Sequence, residues 1–295
     1  MNEFLNSILC EPTTKDSLKL EGNFYIGKNG KYPIINDIPI FLQNPIEQNL
    51  SSIHNKYSSD FNYIDHYKLD GEYFDYFLPY ECEATNDEFR RIHQAIDLFL
   101  PQKFDNILDI GCGSGWVAKE YSHNKQVVSV DISFRNVKTA LELYNNPNHS
   151  GIVADVYSLP FKDESFDVII ASEVIEHTAN PKLFIETLLK LLKKNGCIII
   201  TTPYNEKIEY QLCVHCNKLT PKHGHLHSFN EINIKELIPQ NIHFEYLIFG
   251  NKYLGRIRSH IVLGFLPFRI WRIFDKLSNL IKYKPIRFLI KIVKN

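Results

Sequence analysis

Two carboxylates and an imidazole stand close together in the stretch EVIEH. Glu173, Glu176 and His177 are spaced i, i+3 and i+4, which would place them on one face of a single helical turn. Such a set can form half of a site for a divalent metal ion, Mg²⁺ or Zn²⁺. It can also work without metal, with Glu173 and His177 as a general base or as groups that position a substrate. Helix capping and packing is the third interpretation.

A second group of metal-ligating side chains follows in CVHCNKLTPKHGHLHSF. Cys213 and Cys216 form a C-x-x-C pair, and His223, His225 and His227 come after it. The two thiolates with two of the imidazoles, taken here as His223 and His225, would complete a tetrahedral zinc site. Alternatively, His225 or His227 faces a substrate as a general base, or joins the residues of EVIEH as a further ligand. A solvated histidine loop is the remaining interpretation.

The stretch ILDIGCGSG places three glycines directly after an apolar run. Gly111, Gly113 and Gly115 would let the chain turn tightly and let a ligand approach the backbone closely. A helix expected from Trp116 would add unpaired N–H groups and a partial positive charge. A dinucleotide site fits poorly, because Trp116 stands where the fingerprint G-x-G-x-x-G requires its last glycine.

Two aspartates follow the next two apolar runs. Asp131 ends VVSVD, where a carboxylate can accept hydrogen bonds from both hydroxyls of a ribose in a doubly wound fold. Asp155 ends GIVAD, where its carboxylate could accept from an adenine amine. Ligands bind outside the carboxyl ends of parallel strands, so we expect both acids beside the glycine loop.

The order of apolar and amphipathic stretches indicates how these residues are positioned. Over residues 101–250, apolar runs alternate with helical patterns, which predicts an α/β fold with a doubly wound, mostly parallel sheet and helices on both faces. The strand candidates are NILDI, QVVSVDI, GIVAD, FDVIIAS, GCIIITTP and HFEYLIFG. The helix candidates between them are WVAKEYSH, RNVKTALELYN and PKLFIETLLKLLKK.

Taken in order, the motifs of this region resemble those of class I S-adenosylmethionine-dependent methyltransferases. The resemblance covers about residues 104–202 and is carried by ILDIGCGSG, VDIS, ADVYSLPF, ESFDVIIASEVIEH and LLKKNGCIIITTP. It implies a Rossmann-like fold with S-adenosylmethionine as the cofactor. It also implies roles for single residues: Asp109, Gly111 and Gly113 at the methionine end, Asp131 at the ribose, Asp155 at the adenine, and Cys112, Gly115, Ile132, Val156 and Ser172 elsewhere in the cofactor site.

The resemblance extends to the stretches on the acceptor side. EVIEH is similar to the E-x-x-E-H of metal-dependent O-methyltransferases, those of ubiquinone biosynthesis and the small-RNA 2′-O-methyltransferases. Many metal-free methyltransferases carry a similar E-V-x-E-H, in which the histidine orients the acceptor. GHLHSF resembles an insertion in methyltransferases that modify surface polysaccharides and lipids. A hydroxyl acceptor must lose its proton to a base or at a metal, so the candidate catalytic residues are Glu173, His177 and His225.

These features together predict O-methylation of a small-molecule, glycan or lipid-linked acceptor. One alternative is an RNA methyltransferase of the 2′-O type, and another is a module that binds S-adenosylmethionine without catalysis. Residues 1–44 are expected to form a small β-rich segment, which resembles the zinc-ribbon-like domain that accompanies several tRNA and translation-factor methyltransferases. Only Cys10 of the usual cysteines is in place there, so we expect a degenerate ribbon used for packing or docking.

The remaining segments flank the predicted sheet. Residues 45–100 read as a helical lead-in. Residues 251–295 are strongly basic and predict an amphipathic helical tail, which could lie on an anionic membrane surface, pack on the domain or dock RNA. Ile270, Ile273, Phe274, Leu277, Leu280 and Ile281 fall on one face of that helix.

Composition limits the function classes. The chain of 295 residues has a formal net charge of −1, so the whole molecule has no nucleic-acid signature. Its six cysteines are too sparse for a secreted disulfide scaffold, and no signal peptide or membrane-spanning run is visible. We therefore expect a cytoplasmic protein, with peripheral membrane association left open.

Overall fold

A seven-stranded sheet forms the centre of the protein. The computed structural model describes residues 2–42, 62–214 and 217–295. Its strands are β1 (Lys19–Glu21), β2 (Phe24–Ile26), β3 (Lys31–Ile35), β4 (Ile38–Pro39), β5 (Asn106–Ile110), β6 (Gln126–Asp131), β7 (His149–Val153), β8 (Phe166–Ser172), β9 (Leu192–Pro203), β10 (Tyr210–Leu212), β11 (Leu219–Pro221), β12 (His243–Asn251) and β13 (Pro285–Val293). Its α-helices are α1 (Glu3–Ile8), α2 (Tyr63–Tyr73), α3 (Glu83–Phe99), α4 (Trp116–Tyr121), α5 (Phe134–Leu143), α6 (Pro181–Leu191), α7 (Glu231–Leu237), α8 (Lys252–Arg256), α9 (His260–Leu263) and α10 (Phe268–Ile281).

The large sheet has the strand order β12–β13–β9–β8–β5–β6–β7. Strands β5 to β9 are parallel, whereas β13 is antiparallel to both of its neighbours, β9 and β12. The predicted mostly parallel sheet is therefore confirmed. Because the parallel strands are joined in this order, the carboxyl ends of β5, β6, β7 and β8 meet at one edge, where the candidate residues lie.

Helices cover both faces of the sheet, as expected. On one face, α6 and α7 pack through apolar residues such as Phe184, Leu188 and Ile234. On the other, α3 packs through Ile92 and Ile96, which share a helix face because they are four residues apart. Burial on both faces explains why the strands are continuous valine and isoleucine runs instead of alternating patterns.

The last strand overturns part of the predicted tail. Residues 251–295 are helical only as far as Ile281, and Pro285–Val293 is a strand between β9 and β12. Side chains of this strand alternate between the two faces of the sheet, since Phe288 and Ile290 pack on one face and Leu289 on the other. This period of two residues is the physical reason why the segment is a strand and not a helix. A domain boundary at residue 250 is therefore wrong, since it would remove a strand from inside the sheet.

The N-terminal segment is joined to the sheet beyond β7. Its strands β1 to β4 form a small antiparallel sheet, which confirms a β-rich segment over the described residues 2–42. Ile40 pairs with Val153, and the Phe41 N–H donates to the Val153 carbonyl at 2.7 Å. Cys10 is buried, and within the described residues it belongs to no group that could hold a metal.

No helix in the described ranges is both long enough and apolar enough to cross a membrane.

Candidate functional site

The glycine loop joins β5 to α4 at the carboxyl edge of the sheet. Gly111 and Gly113 have positive φ angles of 67° and 45°. A Cβ on Gly111 would lie 2.7 Å from Cγ2 of Val174, whereas one on Gly113 would meet no atom nearer than 3.9 Å. Gly111 is therefore required for close packing against Val174, and Gly113 for its backbone angle beside open space.

Two carboxylates flank this loop. Asp109 is buried, and its Oδ2 has no hydrogen-bond partner among the described residues. Burial, and then the nearby Asp131, raise the pKa of Asp109 well above its ordinary value. Asp131 accepts from the N–H groups of Gly113 at 3.1 Å and Ser133 at 2.9 Å. Burial raises the pKa of Asp131, although these bonds oppose the shift.

These residues fit the cofactor that the sequence predicts. A buried acceptor atom without a partner marks a place for a donor from a ligand, and Asp109 Oδ2 is such an atom. S-adenosylmethionine offers an ammonium group and two ribose hydroxyls as donors. The open side of Gly113 leaves room for a ligand to approach the backbone.

The helix α2 lies across the same edge. The Tyr63 hydroxyl donates to Asp155, whose other oxygen accepts from the Tyr157 N–H at 3.2 Å. Burial raises the pKa of Asp155. Further along α2, the Tyr67 hydroxyl lies 2.9 Å from Nδ1 of His177. One helix therefore contacts both the predicted adenine carboxylate and a predicted acceptor-side histidine.

The other predicted cofactor residues lie at this edge too. Ile132 follows β6, Val156 begins a 3₁₀ turn, and Ser172 ends β8 with its Oγ 2.9 Å from Oγ1 of Thr201. The Cys112 thiol is buried, and burial raises its pKa well above the ordinary value. Gly115 is the N-cap of α4. Direct contact of these residues with a cofactor stays a prediction.

The stretch EVIEH does not form the helical turn that its spacing predicted. Only Ile175–His177 is helical, as a 3₁₀ turn, and Glu173 before it has a φ of 57°. Glu173 is ion-paired with Arg287 of β13, which also binds Glu88 of α3 at 2.6 Å. The shared helical face is therefore wrong. Glu173 does not join the group of predicted metal ligands, because the buried guanidinium of Arg287 holds its carboxylate.

Arg287 keeps its charge inside the protein. Burial opposes that charge, but the two carboxylates outweigh burial and raise the pKa of Arg287. Burial raises the pKa of Glu173, and Arg287 counteracts this shift. The Glu173 carboxylate is thus a partner of the arginine and is poorly suited to accept a proton from a substrate.

The other two residues of EVIEH converge with a histidine from the later loop. One ligand atom each from Glu176, His177 and His225 lies within 4.8 Å of the other two. Glu176 is buried, its Oε2 accepts from the Thr202 hydroxyl at 3.0 Å, and its Oε1 has no partner among the described residues. Burial, followed by the charge of Glu173, raises the pKa of Glu176 well above its ordinary value.

The histidines of this cluster are held by their Nδ1 atoms. His177 Nδ1 lies 3.2 Å from the Gly224 carbonyl, and burial lowers the pKa of His177 to about 4. His225 Nδ1 lies 2.5 Å from Oε2 of Glu206. A carbonyl or carboxylate on one ring nitrogen is the usual support for a metal-binding histidine, so the cluster fits a divalent ion. The same support suits a general base.

The predicted zinc knuckle is only partly within the described residues. Cys213 lies between β10 and β11, but Cys216 falls outside the described ranges, so the knuckle stays a prediction. The ring of His223 is 5.9 Å from that of His225. The His227 N–H donates to the Glu176 carbonyl at 3.2 Å, and burial lowers the pKa of His227.

Several residues of the site carried no sequence signal. Glu206, Tyr63 and Tyr67 lie in stretches without a motif, and each reaches the site through a tertiary contact. Arg287 had a weak signal, since it lies in the short apolar run IRFLIKIV, whose length and branched residues are compatible with a buried strand.

The chain is similar to known proteins over the same region. Residues 108–200 match the family model of the methyltransferase domain. A mitochondrial ubiquinone biosynthesis O-methyltransferase from Dictyostelium discoideum is 31% identical over 42% of this chain and 44% of that protein. A malonyl-[acyl-carrier protein] O-methyltransferase from Legionella pneumophila is 31% identical over 32% of this chain and 35% of that protein. The chain thus spans less than half the length of these curated relatives.

Solved structures share the fold. An S-adenosylmethionine-dependent methyltransferase from Mesorhizobium loti superposes with a TM-score of 0.52 and 16% identity, over 70% of this chain and 100% of that one. The matched family model, the sheet order and the glycine loop agree with one another. Residues 108–200 therefore form a methyltransferase domain, on the fold that is shared with class I, S-adenosylmethionine-dependent methyltransferases.

Proposed function

We propose that the protein transfers a methyl group from S-adenosylmethionine to a hydroxyl oxygen of a small-molecule acceptor. The observation that carries the proposal is the contact between His225 and Glu206, because the His225 ring also lies 4.9 Å from the ring of His177 in the 3₁₀ turn. A histidine whose second nitrogen is held by a carboxylate is a suitable base for a hydroxyl proton.

When bound, S-adenosylmethionine supplies a sulfonium methyl group, so that an acceptor oxygen forms the C–O bond as the C–S bond breaks. Asp109 and Asp131 would hold its ammonium and ribose hydroxyls. His225 would take the acceptor proton on Nε2, and Glu206 would stabilise the resulting imidazolium. The contact with His225 already holds the pKa of Glu206 below its ordinary value, so Glu206 is charged at neutral pH.

His177 has a different role in this proposal. Its pKa of about 4 leaves it neutral at neutral pH, so it is a weak proton acceptor there. The Tyr67 hydroxyl and the Gly224 carbonyl fix its ring. We assign His177 to the positioning of the acceptor.

The names of the relatives support an oxygen acceptor. One methylates in ubiquinone biosynthesis and another acts on a malonyl group carried by a protein, by their names. An acceptor that is lipid-linked or part of a glycan remains within the proposal. No observation on the described residues favours RNA, so we do not propose the RNA alternative.

A metal-assisted form of the same reaction has its own support. Glu176, His177 and His225 could hold Mg²⁺ or Zn²⁺, which would polarise the acceptor oxygen. Chelation distinguishes the two forms. Unchanged turnover after EDTA treatment, with no divalent ion found by elemental analysis, supports the metal-free base. Turnover that is lost and then restored by one divalent ion supports the metal.

The test uses methyl-labelled S-adenosylmethionine with extracts separated into small-molecule, lipid, RNA and protein fractions. We expect label in the small-molecule or lipid fraction. The variant His225→Gln should lower kcat/KM roughly 100-fold, while the Kd for S-adenosylmethionine changes less than about twofold. His243→Gln is the matched control, because His243 is exposed at the start of β12, on the opposite edge of the sheet. Label in RNA alone, or cofactor binding without transfer to any fraction, would refute the proposal.

A further inference from the structure

The helix α10 exposes apolar residues to solvent and buries a carboxylate, Asp275. Its outward face is apolar, with six residues at the spacing of one helix face that are between 41% and 88% exposed: Ile270, Ile273, Phe274, Leu277, Leu280 and Ile281. A helix on the surface of a soluble domain usually turns such a stripe towards the core. Within the described residues nothing covers this stripe.

Polar contacts hold α10 in this orientation. Asp275 is 1% exposed on the inward side, and its carboxylate accepts from the Asn251 N–H at 2.7 Å. Asn279 binds the Asn251 side chain at 2.8 Å. Trp271 is buried beneath the guanidinium of Arg91. Rolling the helix to bury its apolar stripe would break these bonds, so the stripe is a fixed feature of the surface.

The surroundings of the stripe are cationic. Between residues 252 and 284 the only acidic residue is Asp275, which is buried. The exposed cations of the same segment are Lys252, Arg256, Arg258, Arg269, Lys276, Lys282 and Lys284. Among the described residues, none of them lies within salt-bridge distance of a carboxylate. Their charges are therefore available to an external partner.

More apolar side chains precede α10. Ile257, Ile261, Val262 and Phe265 are all at least 66% exposed, in the segment of α8 and α9 that leads into it. Apolar residues that are rimmed by uncompensated lysine and arginine match the interface of an anionic bilayer, where side chains enter the acyl boundary and cations meet headgroups. A second copy of this chain would bring like charges together.

We infer that the segment Lys252–Lys284 docks the protein on an anionic membrane surface, with the outward stripe of α10 in the headgroup region. The inference is independent of the proposed reaction, because it concerns a surface that contains none of the candidate catalytic residues. It would bring the site to acceptors that are dissolved in the bilayer.

The test is sedimentation of the purified full chain with vesicles, without cofactor or acceptor. The vesicles are phosphatidylcholine alone, or phosphatidylcholine with roughly 30% phosphatidylglycerol. We expect binding to the anionic vesicles to be at least about tenfold stronger, and to fall at about 0.5 M salt. Leu280→Ser combined with Ile281→Ser should weaken this binding at least about tenfold, because both side chains lie on the outward stripe and are 83% and 88% exposed.

Ile232→Ser is the matched control, because Ile232 is 72% exposed on α7, outside the docking segment. It should leave vesicle binding unchanged. Equal binding to both vesicles, or no effect of the double variant, would overturn the inference. Dimerisation that the double variant abolishes, without binding to vesicles, would assign the stripe to a second copy of the chain instead.

Discussion

Buried carboxyl groups dominate the site at the scale of single residues. Asp109 and Glu176 are each at most 2% exposed, and each has one oxygen without a partner among the described residues. Leaving a buried polar atom unpaired is destabilising, so such atoms persist where a ligand completes them. Asp109 therefore marks a position for a ligand on the cofactor side, and Glu176 marks one on the acceptor side.

The variant Glu176→Gln should stabilise the protein at pH 8. Burial raises the folded-state pKa of Glu176 above its ordinary 4.5, so its protonated form is favoured. That stabilising contribution is complete below pH 4.5 and is lost as the pH rises through the folded pKa. The neutral amide of the variant keeps this contribution at high pH. We therefore expect the free energy of unfolding, measured in urea, to rise by on the order of 2 kcal/mol.

The gain should vanish at pH 4.5 and below, where wild type is protonated too. Glu236→Gln is the control, because Glu236 is exposed on α7. A loss of stability in Glu176→Gln that EDTA reproduces in wild type would show instead that a divalent ion neutralises this carboxylate.

The sequence predicted the residues of the cofactor side better than those of the acceptor side. Asp109 and Asp131 lie at the carboxyl ends of β5 and β6, and the glycine loop follows β5, so strand order alone brings them together. The partners of Glu173 and Glu206 lie on other segments of the chain, Arg287 on β13 and His225 in the loop after β11. Contacts between distant segments leave no local period in the sequence.

Strand β13 is the element where sequence reasoning failed. Its basic residues suggested a helical tail, but Arg287 and Lys291 form ion pairs with acids of other elements. Those partners allow cations within a sheet. The helix pattern was correct for Phe268–Ile281, yet the burial of its faces was not predictable, because that depends on the packing of Asp275 and Trp271.

The position of β13 gives a direct stability prediction. Leu289→Ala should lower the free energy of unfolding by about 2–5 kcal/mol, because Leu289 is fully buried between β9 and β12. Leu280→Ala removes the same atoms from an exposed helix face and should change it by less than about 0.5 kcal/mol. Urea denaturation at one pH measures both. Equal effects would contradict the placement of β13 inside the sheet.

At the scale of the molecule, one hydrophobic core extends through the described residues of the N-terminal segment and the large sheet. The N-terminal segment shares its core with the methyltransferase sheet, since Leu5, Tyr25 and Phe41 belong to the cluster that contains Leu108 and Ile152. Main-chain hydrogen bonds also join the N-terminal segment to the rest of the domain. One of them runs from the Cys10 N–H to the Pro160 carbonyl at 2.9 Å. An appended ribbon that served only for docking would not need this shared core.

The variant Phe41→Ala tests that unity. Phe41 is fully buried, and its loss should destabilise the protein by about 3–5 kcal/mol. Both tryptophans, Trp116 and Trp271, lie far along the chain from this segment, so their fluorescence reports on the methyltransferase sheet. If the chain unfolds in one cooperative step, the fluorescence midpoint in urea must fall with Phe41→Ala. Ile35→Ala, at an exposed position of β3, should leave that midpoint nearly unchanged. A fluorescence midpoint that is unchanged by Phe41→Ala would mean that the N-terminal segment unfolds separately from the methyltransferase sheet.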